Sequence, residues 1–307
     1  MGLTRRVREI LDGYEGENPR TKANLARILM AGRLGGTGKL VILPVDQGFE
    51  HGPARSFAAN PPAYDPHYHY SLAIEAGCSA YAAPLGWLQA GADTFRGKIP
   101  TILKLNSANS LARQKEAPDQ AVTGSVDEAV RMGCAAIGFT VYPGSDAQYA
   151  QMEEFASLSK EAKAKGLAVV LWSYPRGGDI SKDGETAVDI VAYAAHMAAL
   201  QGASIIKVKL PSAHLENKDA KRIYEEKKIP VTSMAERVRH IKQCCFNGRR
   251  VVVFSGGAAK DANSVFDDAR AIKEGGGNGS IIGRNSFQRP RADALKLLDE
   301  LIRIYQG

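Results

Sequence analysis

Only four of the 307 residues are cysteine, Cys78, Cys134, Cys244 and Cys245. Their spacing matches neither a zinc-ligand pattern nor a disulfide scaffold, and the adjacent pair could bridge only with strain, so reduced packing residues are expected. The six histidines, His51, His67, His69, His196, His214 and His240, are scattered without ligand spacing, and no metal or other cofactor is expected. Long hydrophobic runs are also missing, which argues against a transmembrane segment. The first residues, Met1-Gly2-Leu3-Thr4-Arg5-Arg6-Val7, carry charge without an apolar signal core, and Arg6 stands where a myristoylation signal needs Ser or Thr. A cytoplasmic protein with no membrane partner is expected. Charge of one sign is not segregated either. The formal net charge is +7, but basic residues are interleaved with acidic ones, which fits a solvated mixed surface better than a nucleic-acid footprint. A modest positive field does favour a phosphorylated substrate.

What is present is an alternation. About eight short apolar or β-branched runs, Leu40 to Val45, Ser79 to Ala83, Thr101 to Leu105, Ala135 to Thr140, Ala168 to Trp172, Ser204 to Val208, Arg250 to Phe254 and Ser280 to Gly283, are separated by longer amphipathic stretches. Helical patterns include Val126 to Met132, Ala147 to Lys165, Ala187 to Gln201, Met234 to Phe246 and Ala262 to Glu274. Strand–helix alternation repeated this often predicts a single-domain α/β protein, a parallel (β/α)₈ TIM barrel over 39–307, with an open doubly wound sheet as the alternative. Residues 1–38 read as an N-terminal helical lead-in. The stretch from His51 to Tyr70, with Pro53, Pro61, Pro62 and Pro66, predicts a long ordered loop without regular structure.

Within this frame one strand stands out. Ala203-Ser204-Ile205-Ile206-Lys207-Val208-Lys209-Leu210-Pro211 places lysine in apolar company, where a charge is costly unless an anion pairs with it or the amine becomes neutral. A neutral lysine is a nucleophile for ketones and aldehydes. The bland alternative is a strand whose lysines snorkel at its end. Two residues apart, Lys207 and Lys209 would face the same side.

In a barrel of this kind the chemistry sits at the C-terminal ends of the strands. Asp46 ends the first strand and can accept a proton, hold a lysine cation, bind a hydroxyl or merely cap the next turn; Glu50 and His51 follow it. Lys104, in the third run, can bind phosphate, repel a neighbouring lysine's charge or form a structural ion pair. The fifth run ends Trp172-Ser173-Tyr174-Pro175-Arg176. It offers a tyrosine for proton transfer, whose pKa a positive neighbour would lower, and a guanidinium for phosphate, or else rim packing. The last two strands run into Ser255-Gly256-Gly257 and Gly283-Arg284, where barrels recurrently bind phosphate with backbone amides and a helix N-terminus.

These residues together resemble the class I fructose-bisphosphate aldolases of the archaeal and bacterial DhnA type, from about Gly35 onward. The most specific stretches are Leu43-Pro44-Val45-Asp46-Gln47-Gly48 with Glu50-His51, Ser56-Phe57-Ala58-Ala59-Asn60-Pro61, Leu171-Trp172-Ser173-Tyr174-Pro175-Arg176, Ile205-Ile206-Lys207, Ser255-Gly256-Gly257 and Gly283-Arg284. The resemblance implies Lys207 as the Schiff-base lysine, Tyr174 as acid/base and Asp46 as an assistant. It further implies Ser255, Gly256, Gly257, Gly283 and Arg284 around the ketose 1-phosphate; Arg176, Trp172, Lys209, Lys104 and His51 are expected from their positions as further substrate contacts. Lys209 remains an alternative nucleophile. The implied reaction is reversible cleavage of fructose 1,6-bisphosphate, without metal or cofactor, by a homo-oligomer acting on phosphorylated ketoses and aldoses. A related Schiff-base aldolase, a transaldol-like enzyme and a non-catalytic sugar-phosphate sensor are the other readings.

Overall fold

The computed structural model describes residues 2–112, 117–257 and 260–307. Eight parallel strands close on themselves: β1 (Leu40–Pro44), β2 (Ala80–Pro84), β3 (Thr101–Lys104), β4 (Ala136–Val141), β5 (Ala168–Ser173), β6 (Ile205–Val208), β7 (Val251–Ser255) and β8 (Gly279–Ile281). Each pairs with its sequence neighbours, and Leu40 of β1 meets Gly279 of β8, so the sheet has no edge and the open-sheet alternative is excluded.

Fourteen described helices accompany the strands. Two precede the barrel, α1 (Arg5–Asp12) and α2 (Pro19–Leu29), and four lie between β1 and β3: α3 (Gln47–His51), α4 (Pro53–Phe57), α5 (Pro66–Ala76) and α6 (Leu85–Gly91). The crossovers that follow use α7 (Val126–Arg131), α8 (Gln148–Ala164), α9 (Val188–Leu200), α10 (Lys218–Glu226), α11 (Met234–Cys244), α12 (Ala262–Glu274), α13 (Arg284–Phe287) and α14 (Arg291–Gln306). Local chemistry sets several of their starts. Ser125 and Ser233 open α7 and α11 with reciprocal capping boxes to Glu128 and Glu236, satisfying amides that a helix start leaves free.

Strand alternation sorts the core into two layers. Val41, Leu43, Leu103, Ile206 and Val208 face the helices, whereas Leu40, Ile42, Ile102, Val170, Trp172 and Ile205 fill the lumen. By the same period of two, Lys104 and Lys207 point inward. Val7, Leu11, Tyr14, Leu25, Ile28 and Leu29 of the N-terminal segment join the lumen layer from below. The Tyr14 hydroxyl there donates to Ser204 O at 2.6 Å and accepts from Val251 N at 2.8 Å, tying the segment to the starts of β6 and β7.

The segment after β1 differs from expectation. His51 to Tyr70 contains α4, a 3₁₀ turn over Pro61–Tyr64 and the start of α5. Proline breaks a helix from the inside but suits its first turn, where the missing N–H would be unpaired anyway; Pro53, Pro61 and Pro66 each begin an element. The prolines therefore segment the stretch into short helices rather than preventing them.

Candidate active site

At the C-terminal mouth of the barrel lies a cavity of about 690 Å³. Asp46, His51, Trp172, Tyr174, Arg176, Lys207, Lys209, Ser255, Gly256, Gly257, Gly283 and Arg284 all line it. Five strand ends and their loops, far apart in sequence, thus converge on one space. Lys104 does not line it, and its amine is turned into the wall, toward Asn106 and Gln120.

Lys207 is 6% exposed, with Nζ 5.2 Å from the Trp172 ring centroid and 5.3 Å from that of Tyr174. Among the described residues it has no hydrogen bond and no ion pair. Burial lowers its pKa to about 8, with the Asp46 carboxylate opposing and the Lys104 charge reinforcing the shift. At pH 7 a pKa near 8 leaves ~10% of the amine neutral, against ~0.03% at the ordinary value. Trp172 is seated by the absence of a side chain opposite: a Cβ on Gly138 would lie 2.3 Å from its ring.

Lys209, just past the end of β6, also faces the cavity, but its Nζ donates to the Glu185 carboxylate at 2.6 Å. Burial lowers its pKa while Glu185 raises it. Of two lysines two residues apart, one is held as a cation and the other is left unpartnered. That difference favours Lys207 as nucleophile on grounds the sequence did not contain.

Asp46 occupies the N-cap position of α3 yet makes no capping hydrogen bond. Its carboxylate is thereby left to the cavity and to the lysine charges. Tyr174 is half-buried, and its pKa is raised well above the ordinary range. Burial is the main cause, the Ser255 side chain opposes it, and the Asp46 and Glu50 carboxylates add to it. The expected lowering by a positive neighbour is outweighed, so Tyr174 keeps its proton and is poised as a donor. His51 lies 3.7 Å from Glu50; burial lowers its pKa, Glu50 opposes and Arg284 reinforces, which keeps the ring neutral at pH 7.

The two glycine-containing loops meet. Arg284 Nη2 donates to Gly257 O at 3.3 Å, and Asn285 Nδ2 donates to Gly256 O at 3.1 Å. Glycine is needed twice here: Gly257 has φ +69°, and a Cβ on Gly283 would lie 2.7 Å from Pro44 O. The expected anion cradle is narrower than anticipated. The Gly256 amide is directed at Ile281 O at 3.3 Å, and the start of α12 is occupied by the Asp261 side chain, which accepts from Ser264 N at 3.0 Å.

Among the described residues, three buried polar atoms without hydrogen-bond partners belong to residues lining this cavity: Gln47 Oε1, Trp172 Nε1 and the Nε of Arg176, whose guanidinium lies 5.1 Å from the Tyr142 ring centroid. A ligand rich in hydroxyl and phosphate oxygens would satisfy them. Sequence reasoning missed Arg55, Gln120, Tyr142, Lys182, Glu185 and Lys260, which also line the space. Tyr142 follows β4 and was findable by the rule that strand ends carry function. Glu185 was not, since nothing local signals its pairing with Lys209. Among the described residues no group of three or more His, Cys, Asp or Glu is placed to hold a metal ion, and no helix is long and apolar enough to cross a membrane.

Residues 40–289 match the model of the DeoC/LacD family aldolases. A probable class 1 fructose-bisphosphate aldolase of Chlamydia muridarum is 36% identical over 300 residues, covering 94% of this chain and 85% of that protein. The class 1 fructose-bisphosphate aldolase of Thermoproteus tenax is 36% identical over 271 residues, 88% of this chain and 90% of that one. An archaeal fructose-1,6-bisphosphate aldolase, solved with its catalytic lysine covalently bound to the carbinolamine intermediate of the substrate, superposes with a TM-score of 0.76 at 31% identity, covering 92% of this chain and 100% of that chain. The chain belongs to the DeoC/LacD aldolase family.

Proposed function

We propose that this DeoC/LacD-family chain is a class I, Schiff-base fructose-bisphosphate aldolase, with phosphorylated ketose and aldose as its substrates. The observation that carries the reading is Lys207: a buried amine inside an aldolase barrel, without an anionic partner and facing a cavity with basic groups on several sides. Relatives named as fructose-bisphosphate aldolases support the choice of sugar.

The neutral Lys207 amine attacks the C2 ketone of open-chain fructose 1,6-bisphosphate, and the resulting carbinolamine loses water to give a protonated imine. The C4 hydroxyl then gives up its proton, the C3–C4 bond breaks, and its electron pair moves into the iminium to form an enamine. Glyceraldehyde 3-phosphate leaves. A proton delivered to C3 regenerates the imine, and water releases dihydroxyacetone phosphate and the free amine.

Tyr174, which retains its proton, serves as the acid that protonates the enamine; Asp46, free of any cap, accepts the hydroxyl proton or orients the hydroxyl. Arg284, Ser255 and Gly257 hold the 1-phosphate, and Arg176 and Lys209 are further cations lining the same cavity. The iminium supplies the electron sink, so the reaction needs no metal, and activity is expected to survive exhaustive chelation.

Borohydride reduction in the presence of dihydroxyacetone phosphate, followed by peptide mass spectrometry, tests the reading. A stable adduct on Lys207 is expected. An adduct on Lys209 would move the nucleophile, and the absence of any adduct would remove the Schiff-base mechanism.

A further inference from the structure

Resting on the Schiff-base reading, we infer that Lys104 is a positioning residue: an ammonium fixed behind the cavity wall, whose charge favours the neutral form of the Lys207 amine.

The geometry begins with what surrounds each amine. Lys104 is 3% exposed, and its Nζ donates to Asn106 O, to Asn106 Oδ1 at 3.1 Å and to Gln120 Oε1 at 2.9 Å. An ammonium has three N–H donors and no acceptor, so three oxygens match the protonated form and leave no hydrogen-bond donor for a neutral amine's lone pair. Those oxygens are themselves pinned. Asn106 Nδ2 donates to Thr140 O at 2.8 Å, Thr140 N donates back to Asn106 Oδ1 at 2.8 Å, and Gln120 Nε2 donates to the Tyr142 hydroxyl at 2.6 Å. Lys207 has no such cage.

Both amines approach one ring. Lys104 Nζ is 5.8 Å and Lys207 Nζ 5.2 Å from the Trp172 centroid. Their separation is therefore below ~11 Å, close enough in a poorly screened wall for a like charge to shift a pKa by about one unit. Other charges facing Lys207 are the Asp46 and Glu50 carboxylates, which favour its protonation, and Arg284, which disfavours it. Asp46 and Glu50 also face Lys104, and no carboxylate lies within ion-pairing distance of either lysine among the described residues. Two buried lysines that sense one another titrate as a pair, and the better-solvated member retains the shared proton. The caged one is Lys104. Burial draws both pKa values down to about 8, and the cage decides which amine charges first.

This reading also accounts for a lysine that does not line the cavity. Lys104 acts through Lys207 and does not touch substrate.

The test is the pH dependence of borohydride-trapped adduct formation on Lys207 under single-turnover conditions with dihydroxyacetone phosphate. In the wild type, trapping should rise with pH through a midpoint near pH 8 to a plateau about one unit higher. Lys104→Met should move that limb up by about one unit, with trapping ~10-fold slower at pH 7 and restored at high pH. Lys104→Arg, which keeps the charge, should leave the limb in place. Gln120→Leu, which removes one acceptor from a residue that is not fully buried, should move it upward by less and covers the case in which Lys104→Met does not fold. A uniformly slower reaction with an unmoved limb in Lys104→Met and Gln120→Leu would overturn the inference. Failure of the wild type to label Lys207 would instead overturn the Schiff-base reading beneath it.

Discussion

Lysines largely shielded from water sit at both ends of the barrel, and both have pKa values drawn down to about 8 by loss of solvent, yet they do opposite things. At the closed end, Lys242 Nζ donates to Arg250 O at 2.5 Å, to Asn278 Oδ1 at 2.7 Å and to Gly248 O at 3.5 Å. Its ammonium stitches the start of β7 to the turn before β8, and the N-terminal segment covers the lumen beneath. At the open end, Lys207 has a cavity in front of it and no acceptor. A lowered pKa alone therefore does not mark a nucleophile. What separates a structural from a reactive lysine here is whether neighbouring oxygens occupy its protons and whether a substrate can reach it.

Four experiments press on that contrast. Lys207→Ala should reduce cleavage of fructose 1,6-bisphosphate to background and abolish the borohydride adduct while circular dichroism stays native. Lys242→Met should leave adduct formation on Lys207 intact. Equal loss in both variants would erase the distinction between the two ends. Tyr174→Phe removes the proton donor but not the amine, so kcat should fall by about 10²–10⁴-fold with imine trapping retained. Loss of trapping as well would place Tyr174 in forming the imine rather than in the later steps.

Arg284→Ala should raise KM by about 10–100-fold and change kcat less, because the phosphate is the same in ground and transition states and one charge-assisted contact contributes roughly 1.5–3 kcal/mol. Steady-state kinetics with fructose 1,6-bisphosphate and fructose 1-phosphate measure it, and an unaltered KM for both would remove Arg284 from the 1-phosphate site.

The smallest effect, on stability, differs in sign between the two ends. A folded-state pKa of about 8 against an ordinary 10.5 means that protonated Lys207 opposes folding below pH 8, a penalty that fades as pH rises from 8 to 10.5. Lys207→Met should therefore stabilise the chain at pH 7 by up to about 3 kcal/mol, with the gain shrinking above pH 8. Lys242→Met relieves a similar penalty but strands three oxygens at about 1–3 kcal/mol each, so a net destabilisation of about 1–3 kcal/mol is expected. Urea melts at pH 7 and pH 10 check both, and the same sign for the two variants would refute the proposed difference.

The barrel was legible because its signal is repetitive. Eight apolar runs of strand length, each followed by a helical period, admit few folds, and every run fell within two residues of a strand. The Pro-rich segment after β1 was misread because proline's meaning depends on where a helix begins, and that was decided by packing over the cavity. Strand-end position was enough to pick out Asp46, Tyr174, Arg176 and Lys207 as lining one space. It could not show that Asp46 is uncapped, that burial raises rather than lowers the Tyr174 pKa, or that Lys104 faces the wall.

By itself the sequence determined the alternation, and with it the shared face of Lys207 and Lys209 and the gathering of strand ends at one mouth, but it left a closed and an open sheet both possible. These follow from periods of two and 3.6 residues, which are properties of the local chain. Only the tertiary structure decided the state of each charge. The Glu185 carboxylate reaches Lys209 from 24 residues away, and Gln120 reaches Lys104 from 16. A side chain's pKa is set by burial and by the few polar atoms within several ångströms, and no local pattern records which distant loops supply them.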